Sequence, residues 1–85
     1  MLWTNSYSLA QLGEFLQEYR RSKSIKQADF AKTIGVSHTT LSNLEQGKNT
    51  STETLQKALS MLGLRLVIVP KTAHVIVKEE GPSWY

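Results

Sequence analysis

QADFAKTIGVSHTTLSNLEQG, residues 27–47, reads as two short helices joined by a tight turn at Gly35. In the first helix, Ala28, Phe30, Ala31 and Ile34 recur at helical spacing and are its expected inward positions. Gly35 follows Ile34, the place where a residue in the left-handed conformation closes a helix. Ser37 has the hydroxyl needed to cap the second helix, about residues 37–46, and Gly47 ends it. Leu41 and Leu44 then face inward, which leaves Ser37, His38, Thr39, Ser42 and Asn43 for the outer face. The start of the first helix is weakly marked, because Lys26 stands where a Ser or Thr cap is expected.

Working outward, Leu2, Trp3 and Tyr7 form an apolar N-terminal arm, and Ser8 caps a helix carrying Leu9, Leu12, Phe15, Leu16 and Tyr19 on one stripe. Arg20, Arg21 and Lys23 end that helix, where cations suit the negative end of the dipole; a solvated terminus and phosphate contact both stay open for them. Beyond residue 47, Thr50 or Ser51 caps a further helix that runs to Met61 and buries Leu55, Ala58, Leu59 and Leu62. Residues 64–69 are short, β-branched and stopped by Pro70, which predicts a strand, and residues 73–78 are a second candidate. Three units follow: residues 1–63 as the helical domain, 64–78 as a strand or hairpin, and 79–85 as a tail.

Eighty-five residues make one domain at most, with a marginal core of its own. With no cysteine there is no disulfide framework, and oligomerisation is the remaining route to extra stability. The net charge of +3 is a mild lean towards anionic partners. The excess lies within residues 1–70, whereas residues 71–85 carry two charges of each sign. No apolar run is long enough to span a bilayer, and residues 1–10 lack the basic start and apolar middle of a secretion signal, so a cytoplasmic location with no membrane partner is expected.

Enzyme chemistry finds little to work with. The histidines, His38 and His74, stand far apart with no cysteine to complete a metal site. There is no Gly-rich phosphate loop, and no base is placed beside a Ser or Thr at a recognisable spacing. No cofactor and no catalytic residue are expected.

A short helix with a polar outer face on a small basic domain is a device for entering the DNA major groove. The pattern resembles the Cro/C1-type (Xre) helix-turn-helix family. Gln27 and Ala31, then Gly35, Val36 and Ser37 at the turn, then Leu41, Asn43 and Leu44 to Lys48 carry the match, and the resemblance covers about residues 9–62. Lys26 departs from the family's usual Thr. The resemblance implies a mostly α, four- to five-helix, lambda-repressor-like DNA-binding domain. It also implies roles. His38, Thr39 and Asn43 would read bases, while Lys26, Gln27, Lys32, Ser37, Thr40, Ser42, Lys48 and Asn49 would meet the DNA backbone. Against these, Ser37 is first of all a cap, Lys32 also reads as a solvated face, and Glu45 reads as structural, bonded near the loop that follows its helix.

A strand or hairpin is not stable alone in water. Both faces of residues 64–69 are largely apolar, so the same strand of a second chain is the simplest partner, through Leu64, Leu66, Val67, Ile68 and Val69. An intersubunit sheet of this kind gives a homodimer, and a homodimer suits a palindromic operator on double-stranded DNA. A helix-turn-helix followed by a strand and a tail with Trp84 also resembles the HipB-like antitoxins, which are autorepressors partnered by HipA-like kinase toxins. By that resemblance Trp84 and Tyr85 would anchor the toxin; the plain alternative is that Trp84 folds back on its own domain. The expected function is therefore a sequence-specific transcriptional repressor and antitoxin. A stand-alone phage-type or metabolic repressor is the alternative within the class, and a protein-interaction adaptor the alternative outside it.

Overall fold

The computed structural model describes residues 8–76. Four helices follow in order: α1 (Leu9–Ser22), α2 (Gln27–Ile34), α3 (His38–Glu45) and α4 (Thr52–Met61). Three of them begin on a serine. The hydroxyls of Ser8, Ser37 and Ser51 accept from the amides of Gln11, Thr40 and Thr54 at 3.1, 3.0 and 3.1 Å. Each satisfies an amide that has no partner within its helix. α2 begins at Lys26 without a side-chain cap, as the sequence suggests, and Asp29 in its first turn supplies the favourable charge instead.

The α2–α3 turn is the local event on which the fold depends. Gly35 takes φ +76°, a conformation that costs a side chain with Cβ about 1–2 kcal/mol. The reversal lets the Val36 amide donate to Ala31 O at 3.0 Å, closing α2 and sending the chain straight into the Ser37 cap.

The core is one cluster: Leu16 from α1, Phe30, Ala31 and Ile34 from α2, Leu41 and Leu44 from α3, Ala58 and Leu59 from α4, and Leu62. Phe30, Leu41 and Leu44 are the largest fully buried side chains. Each buried Leu contributes about 1.5–3 kcal/mol, so two of them on an eight-residue helix hold α3 against its neighbours. Ala28 is a correction. It is exposed, because it precedes Phe30 by two residues and so lies about 200° away round the helix. Leu9 is likewise at the rim, and Leu12, Tyr19 and Leu55 pack on the core half-buried.

α1 and α3 approach closely enough to exclude a methyl group. A Cβ on Gly13 would lie 2.3 Å from Leu44 O, and one on Gly47 would lie 2.4 Å from the Ala10 Cα. The C-terminal end of α3 is thus seated directly on α1.

The expected strands do not form among the described residues. Residues 64–69 and 73–76 form no β-ladder with any described residue, so neither strand nor intrachain hairpin is present there. The reason is physical: β structure exists only as a ladder with a neighbour, and this stretch has none among the described residues. A turn does occur where a hairpin would need one, with the Ala73 amide donating to Pro70 O at 2.9 Å. Leu64 packs half-buried on the core, and residues 65–76 that follow are all exposed. Leu66, Val67, Ile68 and Val69 are exposed, Ile68 by 90% and, further on, Ile76 by 82%. The N-terminal arm, residues 77 and 78, and Trp84 with Tyr85 lie outside the described residues.

Candidate nucleic-acid interface

α3 presents a polar surface because its two apolar side chains are spent inward. His38 and Thr39 are exposed at its first turn; Thr40, Ser42 and Asn43 are half-buried along its flank. The side chains of Thr39 and Asn43 make no hydrogen bond among the described residues, so the Asn43 amide keeps both its donor and acceptor groups available. The Ser37 and Thr40 hydroxyls bond each other at 2.8 Å within the cap, and Gln46 Nε2 donates to Ser42 Oγ at 2.9 Å. Lys26, Lys48 and Asn49 are exposed at the two ends of the helix-turn-helix, and Lys32 is exposed on the last turn of α2. None of the three lysines forms an ion pair among the described residues.

Beneath this surface runs a polar connection that reaches from α1 to the first turn of α3. Arg20 donates from Nε to Glu45 Oε2 at 2.7 Å and from Nη2 to Glu45 Oε1 at 3.0 Å, with Nη1 held by Ile25 O at 2.6 Å. Both side chains are almost wholly enclosed, at 5% and 1% exposure. Gln27 Nε2 donates to Glu45 Oε1 at 2.9 Å, and Gln27 Oε1 is joined to His38 Nε2. A residue at the start of α2 and one on the outer face of α3 are thereby tied to a buried ion pair.

This corrects the reading of Arg20 as a terminal cation facing solvent or phosphate. Burial of its guanidinium is tolerated because Glu45 and a carbonyl accept from three of its nitrogens. Glu45 is structural, as its sequence position suggests, but its partners are Arg20 and Gln27 rather than groups of the following loop. The sequence does carry a signal for this: Arg20 follows Leu16 by four residues, as Leu16 follows Leu12, on the stripe that faces the core. Gln46, which engages Ser42, is not among the site residues expected from the sequence.

No helix among the described residues is long and apolar enough to cross a membrane, and no cluster of metal-binding side chains occurs among them.

Comparison with known proteins agrees with this architecture. The helix-turn-helix family model matches residues 16–69. The chain is 35% identical over 72 residues to the ImmF control region 10 kDa protein of Bacillus phage phi105, covering 84% of this chain and 80% of that protein. Among solved structures, it is similar to a chain of a HipA–HipB–O2–O3 complex, with 30% identity and a TM-score of 0.73, over 82% of this chain and all of that one. It is also similar to HipB in complex with an O4 20mer, at 30% identity and a TM-score of 0.74, over 82% of this chain and all of that one. A third likeness is to the restriction-modification controller protein C.AhdI from Aeromonas hydrophila, at 26% identity and a TM-score of 0.61, over 67% and 88% of the two chains. With its serine-capped α3, Gly35 turn and polar outer face lying within the stretch that this family model and these relatives match, the chain belongs to the helix-turn-helix family of the Xre (Cro/C1) type, with HipB chains among its structural neighbours.

Proposed function

We propose that the protein is a homodimeric transcriptional repressor that binds a palindromic operator, and that it serves as the antitoxin of a HipBA-like pair. The observation that carries the DNA part is the first turn and flank of α3, polar and outward-facing on a helix whose apolar side is locked into the core. In this reading α3 lies in the major groove with its N-terminal residues at base edges. Asn43 pairs with adenine through its free amide, Thr39 meets base edges or a thymine methyl, and His38 reads from the first turn. Lys26, Gln27, Lys32, Ser37, Thr40, Ser42, Lys48 and Asn49 hold the phosphates, adding affinity and salt dependence without sequence information.

Exposed Leu66, Val67, Ile68 and Val69 support the dimer, since a run of large apolar side chains with no cover among the described residues is a surface for a partner. Pairing with the same run of a second copy, starting at Leu64, supplies the missing ladder and sets the two α3 helices for two half-sites. The similarity to HipB chains solved with HipA and with an O4 20mer supports the antitoxin role, with a kinase-like toxin bound away from α3 and Trp84 and Tyr85 as its anchor. The phage control-region relative favours one alternative, a stand-alone phage-type repressor.

A mobility shift on the DNA upstream of its own gene tests the shared core of both readings. A specific complex that weakens with rising salt is expected; equal binding to unrelated duplexes, or none, overturns the repressor reading. Co-expression with the product of the adjacent gene separates the two. A stable complex with a kinase-like neighbour supports the antitoxin, and a solitary gene with no such neighbour rejects it in favour of the phage-type repressor.

A further inference from the structure

The connection from Arg20 to His38 has a direction that chemistry imposes. Arg20 can only donate, and it donates twice to Glu45. The ionised Glu45 carboxylate can only accept, so the group of Gln27 that faces it must be the amide nitrogen. Gln27 therefore turns its carbonyl oxygen to His38, and a carbonyl can only accept. His38 Nε2 must carry the proton and donate it. The other ring nitrogen, Nδ1, makes no hydrogen bond among the described residues, and the side chain is exposed. In a neutral imidazole with its proton on Nε2, Nδ1 is an acceptor.

We propose that the buried Arg20–Glu45 pair, acting through Gln27, fixes the proton of His38 on Nε2, so that the neutral ring presents an acceptor to DNA and selects a base edge bearing an amino group. The proposal rests on α3 being the reading helix. In the major groove the complementary groups are adenine N6–H and cytosine N4–H, while guanine and thymine offer only acceptors at the corresponding edge. Arg20, Glu45 and Gln27 are positioning residues for the base contact, which His38 makes; the phosphate contact of Gln27 is a separate one and carries no sequence information. A histidine free to exchange tautomers can satisfy either kind of edge and discriminates poorly. A histidine held by a chain of forced polarity does not have that freedom. The ion pair between α1 and α3 thereby sets a specificity that its own burial keeps it from reading directly.

Two measurements on the full chain test this separately. A long-range imidazole nitrogen–proton spectrum, recorded at about pH 8 to keep histidine neutral, reports the tautomer without any DNA. His38 is expected wholly as the Nε2–H form, with exposed His74 as an internal reference showing the ordinary mixture. Gln27→Met, which leaves the Arg20–Glu45 pair in place, is expected to return His38 to the pattern of His74. A His38 spectrum that matches His74 in the unaltered protein, or one that Gln27→Met leaves unchanged, overturns the proposal.

The second measurement selects binders from random duplexes at the same pH. The position read by His38 is the one whose preference disappears in His38→Ala. Gln27→Met is expected to cut that preference by about fivefold, near the worth of one hydrogen bond, with other positions unchanged. Every base pair carries one major-groove amino group, so the test removes it: purine in place of adenine, or 2-pyrimidinone in place of cytosine, at that pair is expected to weaken binding by the unaltered protein about fivefold and to leave His38→Ala unaffected, and an equal loss in both proteins, or none in either, overturns the proposal. If no motif emerges from the unaltered protein, the DNA reading itself fails, whereas the spectrum still decides the polarity of the relay.

Discussion

Glu45 accepts from Arg20 Nε, Arg20 Nη2 and Gln27 Nε2, and it does so in a setting that leaves no water to replace them. Removing one member of a buried pair strands the other charge, at about 3–5 kcal/mol. Glu45→Ala should therefore lower the unfolding free energy by about that amount, read by chemical denaturation. An apolar double replacement, Arg20→Met with Glu45→Leu, should be much less harmful, because neither charge remains to be solvated. The contrast tells a charge-pairing role from mere packing: equal losses would assign the effect to packing. Asn43 belongs to the opposite kind of residue. Its amide is half-buried and bonded to nothing among the described residues, so Asn43→Ala should leave the melting temperature within error. The same substitution should weaken operator binding by about 1–3 kcal/mol, measured by titration on the selected duplex. Unchanged operator affinity would remove Asn43 from the reading surface.

At the scale of elements, the seat of α3 on α1 is set by the absence of a side chain. Gly13→Ala gains about 1 kcal/mol of helix propensity in α1, but its methyl would meet Leu44 O and Glu45 O at 2.3 and 2.8 Å. Backbone cannot rotate aside as a side chain can, so overpacking of about 1–3 kcal/mol should outweigh the gain. Thermal unfolding should show a net loss of stability, and an increase would mean that α1 shifts without cost. The helix-turn-helix itself is legible in the residues: the Ser37 cap, the Gly35 reversal and the inward pair Leu41 and Leu44 all stand where their spacing puts them. Arg20 is less legible. A basic residue near a helix end has a ready explanation in the dipole, and only its place on the apolar stripe hints that it turns inward. Ala28 misleads because alanine is accepted on either side of a helix, so its identity carries no directional information.

For the whole molecule, the question moves to residues 64–76. Their large side chains are exposed, and the turn at Pro70–Ala73 stands without a ladder on either side among the described residues. In the dimer we propose, this stretch supplies the intersubunit sheet and holds two recognition helices about one helical turn of DNA, roughly 34 Å, apart. Ile68→Lys should then yield a monomer in sedimentation equilibrium while the circular dichroism of the helical domain stays unchanged, since Ile68 touches no part of the core. A persistent dimer would place the interface elsewhere. Operator affinity should fall with the loss of the dimer, because a single domain reads only half of a palindrome.

What the sequence determined by itself is everything that depends on neighbours along the chain. Helix caps, the glycine reversal and the apolar spacing act over three to five residues, and they are readable there. What only the tertiary structure decided is the partnership of residues distant in the chain. Arg20 meets Glu45 across 25 positions, and Gln27 meets His38 across 11. Neither pairing has a local cause: the core has to bring α1, α2 and α3 together before a buried charge can find its counterion. The strand shows the converse limit. Its β-branched composition is a local property, but a ladder requires a neighbour, and composition cannot say which chain provides it.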